Sequence, residues 1–284
     1  MAASDQLLVV IDPVARRTDG ESVRIAKDVL SAGAATKVCL PEGPEEFARA
    51  LIRRGARRPV VIGDDGALLR AVSLLHRQRE LAGCALSFVP VGGALALSRS
   101  LGVPMGAVAA ARAVLDGAER RLDLLVDDSD GVVLGALRIP SLPSRPSAEV
   151  LAGLPGEEAA GHPWLRTCQS LVRTLASRPS RPATPATGPS RLRIEVDGVC
   201  VVDLDQPVEA VSVTPGGSGT GAEIEVRAVS PGAASSPLRL LGHKVTVSGA
   251  DFRYRADSVV SGPVRTRTWT VRESAWGLTL PATT

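Results

Sequence analysis

The sequence predicts an α/β fold in which a parallel-sheet, nucleotide-binding-type domain precedes a mostly antiparallel β-sandwich domain. Short apolar runs alternate with helical periodicity as far as residue 115. Alternating, strand-like patterns dominate from residue 121 onward. Tight turns follow three of the apolar runs directly, and two of these turns are rich in glycine. We therefore place the domain boundary after residue 120 of 284, which gives domains 1–120 and 121–284.

The elements of the first domain follow from local patterns. An apolar run over residues 7–11 ends at Asp12-Pro13, which is typical of a buried parallel strand stopped by a turn. Pro44, followed by two acidic residues, suits the first turn of a helix. Similar patterns predict strands over 37–40, 59–62 and 86–89, and helices over 22–33, 67–81, 94–101 and 105–115. This alternation implies parallel strands covered by helices.

The second domain is predicted from short alternating segments separated by Gly, Pro or Asp-Gly turns. The predicted strands cover residues 122–126, 131–139, 192–202, 208–213, 223–229, 244–248 and 266–271. One helix is predicted around residues 164–176. Residues 177–190 are rich in Pro, Ser, Thr and Ala, a composition that cannot bury a core and predicts a flexible, exposed loop.

Composition and charge narrow the classes of function. The 33 cationic residues are interleaved with 30 anionic ones, so a net charge of +3 does not favour nucleic-acid binding. No segment approaches the roughly 18 apolar residues of a membrane span, and the N-terminus lacks the pattern of a signal peptide. We expect a cytoplasmic protein that reaches a membrane only at its surface. The four cysteines and three histidines lie too far apart in sequence to predict a metal site.

Three turns follow predicted strands at the edge where parallel α/β sheets bind ligands. Residues 63–66, Gly-Asp-Asp-Gly, join a strand to a helix, and residues 90–93, Pro-Val-Gly-Gly, do the same after the next strand. Residues 12–15 follow the first strand. Glycines let backbone N–H groups approach a phosphate, and a helix N-terminus adds positive potential. Each turn taken alone is more typical of a tight connection than of a phosphate site.

The order and spacing of these turns resemble those of the diacylglycerol kinase and sphingosine kinase superfamily. In that family the corresponding loops have the patterns Asn-Pro-x-Ser/Ala-Gly, Gly-Gly-Asp-Gly-Thr and Pro-x-Gly-Thr-x-Asn-Asp-x-Ala-Arg. Here they are residues 12–16, 63–67 and 90–99. The resemblance extends more loosely into the second half, where residues 195–198 are similar to the family's Asp-Gly hairpin.

The resemblance implies an ATP-dependent phosphotransferase that acts on a lipid hydroxyl with Mg²⁺, at a membrane surface. It implies that Arg99 lies on the acceptor side and that Asp257 is the candidate to take the hydroxyl proton. The nucleotide-binding positions that it implies are Asp12, Gly63, Asp64, Asp65, Gly66, Ala67, Gly92 and Gly93.

Several of these positions depart from the family pattern. Asp64 replaces a glycine of the phosphate loop, where a carboxylate repels a triphosphate by about 1 kcal/mol at 4 Å in water and about 4 kcal/mol at an effective dielectric of 20. A bridging Mg²⁺ reverses that sign. Ala67 and Gly93 each replace a threonine, and Leu95-Ala96 stand where the family has Asn-Asp. Asp257 lacks the Gly-Glu that follows it in the family, so an ordinary solvated turn residue is the favoured alternative.

Two hypotheses from different classes follow. One is a divergent lipid kinase that keeps its activity. The other is a pseudokinase that keeps the fold as a nucleotide- or lipid-binding regulatory module. Because three loops and the proton acceptor all depart from the family pattern, the residues favour the second hypothesis, in which phosphate transfer is lost.

Three further features have simpler interpretations. His76 lies in a polar helical stretch and is expected on a solvated face. Residues 127–131, Asp-Asp-Ser-Asp-Gly, predict a hairpin turn rather than a calcium loop. Arg53, Arg54, Arg57 and Arg58 predict a solvated basic surface, with contact to an anionic membrane as the alternative.

Overall fold

A computed structural model describes residues 6–141, 189–217, 219–229 and 236–282. Its first half alternates strands and helices. The strands are β1 (Gln6–Ile11), β2 (Ala35–Cys39), β3 (Arg58–Gly63) and β4 (Ala85–Pro90). The helices are α1 (Pro13–Thr18), α2 (Gly20–Gly33), α3 (Pro44–Ile52), α4 (Asp65–Arg77), α5 (Ala96–Ser100) and α6 (Ala107–Asp116).

The first four strands pair in the order β2-β1-β3-β4, and every one of these pairs is parallel. Strands β1, β3 and β4 are buried from their second residue to their last, which is why their sequences are continuous apolar runs rather than alternating ones. Strand β2 lies at the edge and is partly exposed. This order brings the carboxyl ends of β1, β3 and β4 side by side.

Helices cover this parallel sheet on both faces. Helices α3 and α4 share one core with Leu8 and Val10 of β1, and α2 and α6 share a second core with Leu7 and Val9 of the same strand. The alternation along β1 therefore sends neighbouring side chains to opposite faces. Ala, Val and Leu supply most of both cores.

The second half of the described chain is strand-rich. Its strands are β5 (Ala118–Asp127), β6 (Val132–Val133), β7 (Leu137–Ile139), β8 (Ser190–Val196), β9 (Val199–Val202), β10 (Pro207–Pro215), β11 (Ala222–Ala228), β12 (Leu238–Gly242), β13 (Lys244–Ala256) and β14 (Val259–Leu280). They pair with one another in antiparallel fashion. Strand β14 also pairs in parallel with β4, so hydrogen bonding continues from one half into the other.

The mixed α/β fold with a strand-rich C-terminal part is confirmed. The domain boundary after residue 120 stays a prediction, and strand β5 runs across that position. Helix α1 occupies residues for which the sequence predicts only a turn. The predicted helix over 164–176 and all but the last two residues of the predicted 177–190 loop lie outside the described residues.

Candidate functional site

Three helix-initiating loops converge at the carboxyl ends of β1, β3 and β4. The N–H of Asp12 donates to the carbonyl of Ile62 at 2.9 Å, and the N–H of Val91 donates to that of Gly63 at 2.7 Å. Close packing here requires glycine at position 63, because a Cβ there stands 2.6 Å from that of Ala67 and 3.0 Å from that of Asp12. The structure thus brings together the turns that the sequence singled out.

Asp64 closes the N-terminus of α4. Its Oδ1 accepts a 2.9 Å hydrogen bond from the N–H of Ala67. This is an ordinary N-cap, with the carboxylate at the positive end of the helix dipole. It is also where a bound phosphate receives its donors when a helix N-terminus serves as an anion site.

The other N–H groups in the first turn of α4 are largely engaged as well. The N–H of Asp65 donates to the carbonyl of Ala94 at 2.9 Å, and that of Leu68 donates to the carbonyl of Asp64 at 3.1 Å. Together with the Ala67 N–H, three of the first four backbone donors have acceptors within the chain. Gly66 supplies the fourth donor, and a Cβ built on this residue stands 3.2 Å from Oδ1 of Asp64.

Asp65 caps a different helix. Its side chain is buried and accepts hydrogen bonds from the N–H groups of Leu97 and Ser98 at 2.8 and 2.9 Å, and from the Ser98 hydroxyl. Helix α5 has no side-chain cap from its own N-cap residue, Leu95. Asp65 therefore links the loop after β3 to the loop after β4 instead of facing solvent.

Asp12 caps α1 and carries an ion pair. Its Oδ1 accepts from the N–H of Val14 at 2.8 Å, and its Oδ2 contacts the guanidinium of Arg70. The carboxylate is buried, whereas the Arg70 side chain is 45% exposed and lies over the ring of Phe47. Pro13 at the first helical position has no N–H to offer a ligand.

Gly92 and Gly93 complete the loop after β4. Gly92 has φ +127°, which favours glycine, and a Cβ there is 3.4 Å from the Cβ of Asp64. Gly93 and Ala96 are exposed, and Leu95 is half-buried. Arg99 is exposed in the last turn of α5. The family's polar pair is thus replaced here by a more apolar surface.

Asp257 lies at the turn between β13 and β14 with φ +51°. Its carboxylate accepts from the N–H groups of Leu134, Gly135 and Ala136 at 2.9, 2.7 and 3.0 Å. Burial raises the pKa of Asp257, the three hydrogen bonds oppose that rise, and the charge of Asp65 reinforces it. The interpretation as a freely solvated turn residue does not hold, because Asp257 is half-buried and its carboxylate binds three backbone N–H groups.

Two contributors escaped the sequence interpretation. The sequence places Arg70 only within a predicted helix, although a buried carboxylate such as Asp12 requires a cationic or hydrogen-bonding partner. Ser98 stands where the family has alanine, and its hydroxyl binds Asp65. In both cases the partner lies far along the chain from the acid that it binds, 58 residues for Arg70 and 33 residues for Ser98, so no local sequence pattern reveals the pair.

The remaining sequence candidates lie elsewhere. His76 is not on a freely solvated face, because its Nε2 lies 2.9 Å from Oδ1 of Asp130 and its side chain is 18% exposed. Arg54 forms an ion pair with Glu80 at 2.5 Å, so the basic cluster is partly neutralised. Asp127 accepts from the N–H groups of Ser129 and Gly131, as a hairpin turn requires.

The described part of the chain has neither a candidate metal centre nor a candidate membrane span. No three carboxylate, imidazole or thiolate groups in the described ranges converge closely enough to hold a metal ion. No helix in the part of the chain that the structure describes is long and apolar enough to cross a membrane.

Comparison with known proteins gives a match to one family model over part of the chain and a shared fold. Residues 6–126 match the family model for the diacylglycerol kinase catalytic domain. No curated protein matches the sequence. A solved diacylglycerol kinase from Bacillus anthracis str. Sterne matches with TM-score 0.66 and 13% identity, over 99% of this chain and 98% of that one. Two further structures from that organism, provisionally assigned to the same enzyme class, match with TM-score 0.68 at 14% and 13% identity and the same coverage. At such identities the likeness establishes a shared fold.

Proposed function

We propose, from the premise that the chain belongs to the diacylglycerol kinase and lipid kinase superfamily, that it is a non-catalytic member which binds a lipid and does not transfer phosphate. The observation that carries the proposal is the use of three loop aspartates as helix caps. Asp12 caps α1, Asp64 caps α4 and Asp65 caps α5. The chain's own carboxylates therefore occupy the helix N-termini that face the ligand edge of the sheet.

The loops do not fit the triphosphate of ATP. Three of the four first-turn donors of α4 are engaged, and the carboxylate of Asp64 stands at the position that favours an anion. A magnesium ion offsets such repulsion only if carboxylate oxygens are free to bind it. Asp12 and Asp65 instead hold backbone N–H groups, and Asp12 also holds Arg70. We therefore derive no step through ATP or Mg²⁺.

The candidate proton acceptor is also engaged. Three backbone N–H groups bind the carboxylate of Asp257, and they fix the β13–β14 turn against residues 134–136. A general base needs an oxygen within hydrogen-bond reach of the substrate hydroxyl. The geometry therefore supports a structural role for Asp257, whose carboxylate holds the β13–β14 turn in place.

A lipid suits the remaining surface better than a nucleotide. The loop after β4 presents Leu95 and Ala96 where the family has a polar pair, and Val14 after β1 is 42% exposed. Arg99 and Arg16 are exposed on the helices that follow these two strands, so apolar and cationic groups are both present. This mixture fits a peripheral contact with an acidic membrane that contains diacylglycerol.

The test combines three measurements on the purified full chain. We expect no stabilisation by magnesium-ATP in a thermal shift assay and no phosphate transfer to diacylglycerol in mixed micelles. We expect cosedimentation with vesicles that contain diacylglycerol and an anionic lipid. Leu95→Asp is expected to weaken vesicle binding, whereas Leu204→Asp, at an exposed apolar position in another turn, serves as the matched control.

Phosphate transfer that Asp64→Asn or Asp65→Asn abolishes contradicts the proposal and establishes a divergent lipid kinase. If magnesium-ATP stabilises the protein but no phosphate is transferred, the ligand of this non-catalytic member is a nucleotide and not a lipid. Equal vesicle binding by Leu95→Asp and Leu204→Asp removes the loop after β4 from the lipid site.

A further inference from the structure

Strand β2 leaves one edge of the parallel sheet open. It is the last strand in the order β4-β3-β1-β2, and β1 is its only paired neighbour among the described strands. Within the described ranges, no backbone hydrogen bond from a turn, loop or cap reaches residues 35–39. In this part of the chain, the outward N–H and C=O groups of β2 therefore have no strand beside them. Such an edge is a template on which a further extended segment can pair.

The side chains from Lys37 to Leu40 alternate between two grooves of different chemistry. Val38 and Leu40, on the α2 side of the sheet, line a groove of about 490 Å³. Lys37 and Cys39, on the α3 side, line a groove of about 270 Å³. Successive side chains of a strand point to opposite faces of its sheet. A strand that pairs with β2 therefore presents every second side chain to each groove.

The groove on the α2 side is apolar and balanced in charge. Its aliphatic lining consists of Ile11, Val23, Val38 and Leu40. Val38 and Leu40 are 36% and 52% exposed, so this apolar surface is open to solvent. The polar groups of the lining already have partners, in the pairs Arg24–Glu21, Arg24–Asp28, Lys27–Asp28 and Ser31–Thr36. This groove therefore suits an aliphatic side chain better than a charged one.

The groove on the α3 side is cationic. Lys37, Arg49 and Arg53 line it together with one acid, Glu46. Three cations against one acid leave the lining with a net charge of +2. Glu46 is paired with Arg49 at 3.8 Å and also accepts a hydrogen bond from the N–H of Glu42. This excess of positive charge favours an acidic side chain in the groove.

We propose that β2 is a docking edge for a partner protein. The partner adds an extended segment as a further strand, with aliphatic side chains toward α2 and acidic side chains toward α3. Backbone hydrogen bonds give affinity in this mode of recognition, and the alternate side chains give specificity. The proposal goes beyond lipid binding at the three loops and does not rest on it.

A second copy of this chain does not fit the docking edge. Antiparallel pairing of residues 35–39 with the same residues of another copy places Lys37 opposite Lys37. Like charges directly opposite one another destabilise a strand pair. The lysine therefore disfavours self-association and favours an acidic strand from a different protein.

The experiment uses the full chain and capped heptapeptides of defined pattern. The probe alternates valine with glutamate. One control peptide alternates valine with lysine, and the other has the composition of the probe with its valines and glutamates in separate blocks. We expect calorimetry to show at least tenfold tighter binding of the probe than of either control. Absence of probe binding at about 1 mM, or equal binding of the block peptide, overturns the proposal.

Charge reversal on the α3 side tests the pairing itself. The double variant Lys37→Glu with Arg53→Glu is expected to bind the probe at least tenfold more weakly and to bind the valine–lysine peptide instead. A misfolded variant does not gain that second activity. Arg112→Glu with Arg253→Glu makes the same change of charge at exposed positions outside both grooves and is the matched control. An unchanged preference for glutamate in the Lys37 and Arg53 variant contradicts the proposal.

Hydrogen exchange distinguishes strand addition from simple attraction between charges. The probe is expected to slow exchange of the backbone amides of residues 35–40, measured by mass spectrometry. Binding of the probe without this protection overturns the proposal.

Vesicles of phosphatidylcholine and phosphatidylserine test a membrane contact at the same basic surface. If the vesicles bind through Lys37 and Arg53 and the probe peptide does not bind, the surface contacts a membrane and the proposal fails. No variant touches the three loops, so either failure leaves the proposed function unaffected.

Discussion

Asp64 accepts a 2.9 Å hydrogen bond from the backbone N–H of Ala67, so the helix end that could bind a phosphate carries a carboxylate of its own. The arrangement stabilises α4 as any N-cap does. It also removes a donor and adds a negative charge at the point where a triphosphate needs the opposite. One residue thus both stabilises this helix and places a carboxylate at the helix end where an anion would bind.

Asp64→Gly is expected to open this helix end to nucleotide. Asp64 has extended backbone, with φ −89°, which glycine adopts freely, and Gly at an N-cap costs only about a few tenths of a kcal/mol. Removing the charge lowers the repulsion of a phosphate by about 1 to 4 kcal/mol, depending on the local dielectric. We expect at least about a fivefold gain in magnesium-ATP affinity, measured by calorimetry.

Asp19→Gly is the matched control for that change. Asp19 caps α2 in the same way, through a 3.0 Å hydrogen bond from the N–H of Ser22, away from the converging loops. It loses the same kind of cap and is expected to leave nucleotide affinity unchanged. Equal affinities for the two variants count against the role assigned to Asp64.

The hydroxyl of Ser98 is expected to stabilise the buried carboxylate of Asp65. Ser98→Ala removes one of three hydrogen bonds to that carboxylate and is expected to lower the free energy of unfolding by about 1 to 2 kcal/mol. Ser100→Ala is the control, since its hydroxyl bonds the neutral carbonyl of Leu97 on the exposed side of α5. Urea unfolding measures both, and equal losses refute the special role of Ser98.

Arg70→Gln is expected to destabilise the protein through Asp12. The buried Asp12 carboxylate keeps its hydrogen bond from Val14 but loses its charged partner. We expect a loss of about 1 to 2 kcal/mol in the free energy of unfolding, moderated because Arg70 is partly exposed. Arg24→Gln, which breaks exposed pairs with Glu21 and Asp28, should cost less than about 0.5 kcal/mol. If Arg70→Gln and Arg24→Gln lower the free energy of unfolding by similar amounts, burial of Asp12 does not strengthen its ion pair with Arg70.

Much of the fold is predictable from the sequence, for a physical reason. Strands β1, β3 and β4 are buried on both faces, so they appear as apolar runs, and the helices between them show one apolar face. Strands β13 and β14 are longer than the segments 244–248 and 266–271 that the sequence indicated. Their register shifts between Ser248 and Phe252 and between Arg272 and Trp276, which interrupts the alternation on which strand prediction depends.

The role of the aspartates is not predictable in the same way. The sequence locates Asp12, Asp64 and Asp65 after strands and therefore near a possible ligand. Which backbone N–H groups they bind depends on how the loops after β3 and β4 pack together. Asp65 illustrates this, because its partners Leu97 and Ser98 lie more than thirty residues away.

Asp257→Asn is expected to destabilise the protein most at acid pH. Asparagine offers one side-chain acceptor oxygen to three N–H groups, so at least one donor loses its partner, at about 1 to 3 kcal/mol. In the unmodified chain, burial raises the pKa of Asp257 above its unfolded value of 3.8. The stability associated with this carboxyl is therefore fully present below pH 3.8 and is lost as pH rises through the folded-state pKa.

Asparagine does not titrate, so the difference in the free energy of unfolding between the two proteins should shrink as pH rises. Urea unfolding at several pH values between about 4 and 8 measures this trend. Asp197→Asn shares the left-handed backbone at an exposed site and is expected to lose less stability. A difference that grows with pH instead shows that hydrogen bonding outweighs burial at Asp257.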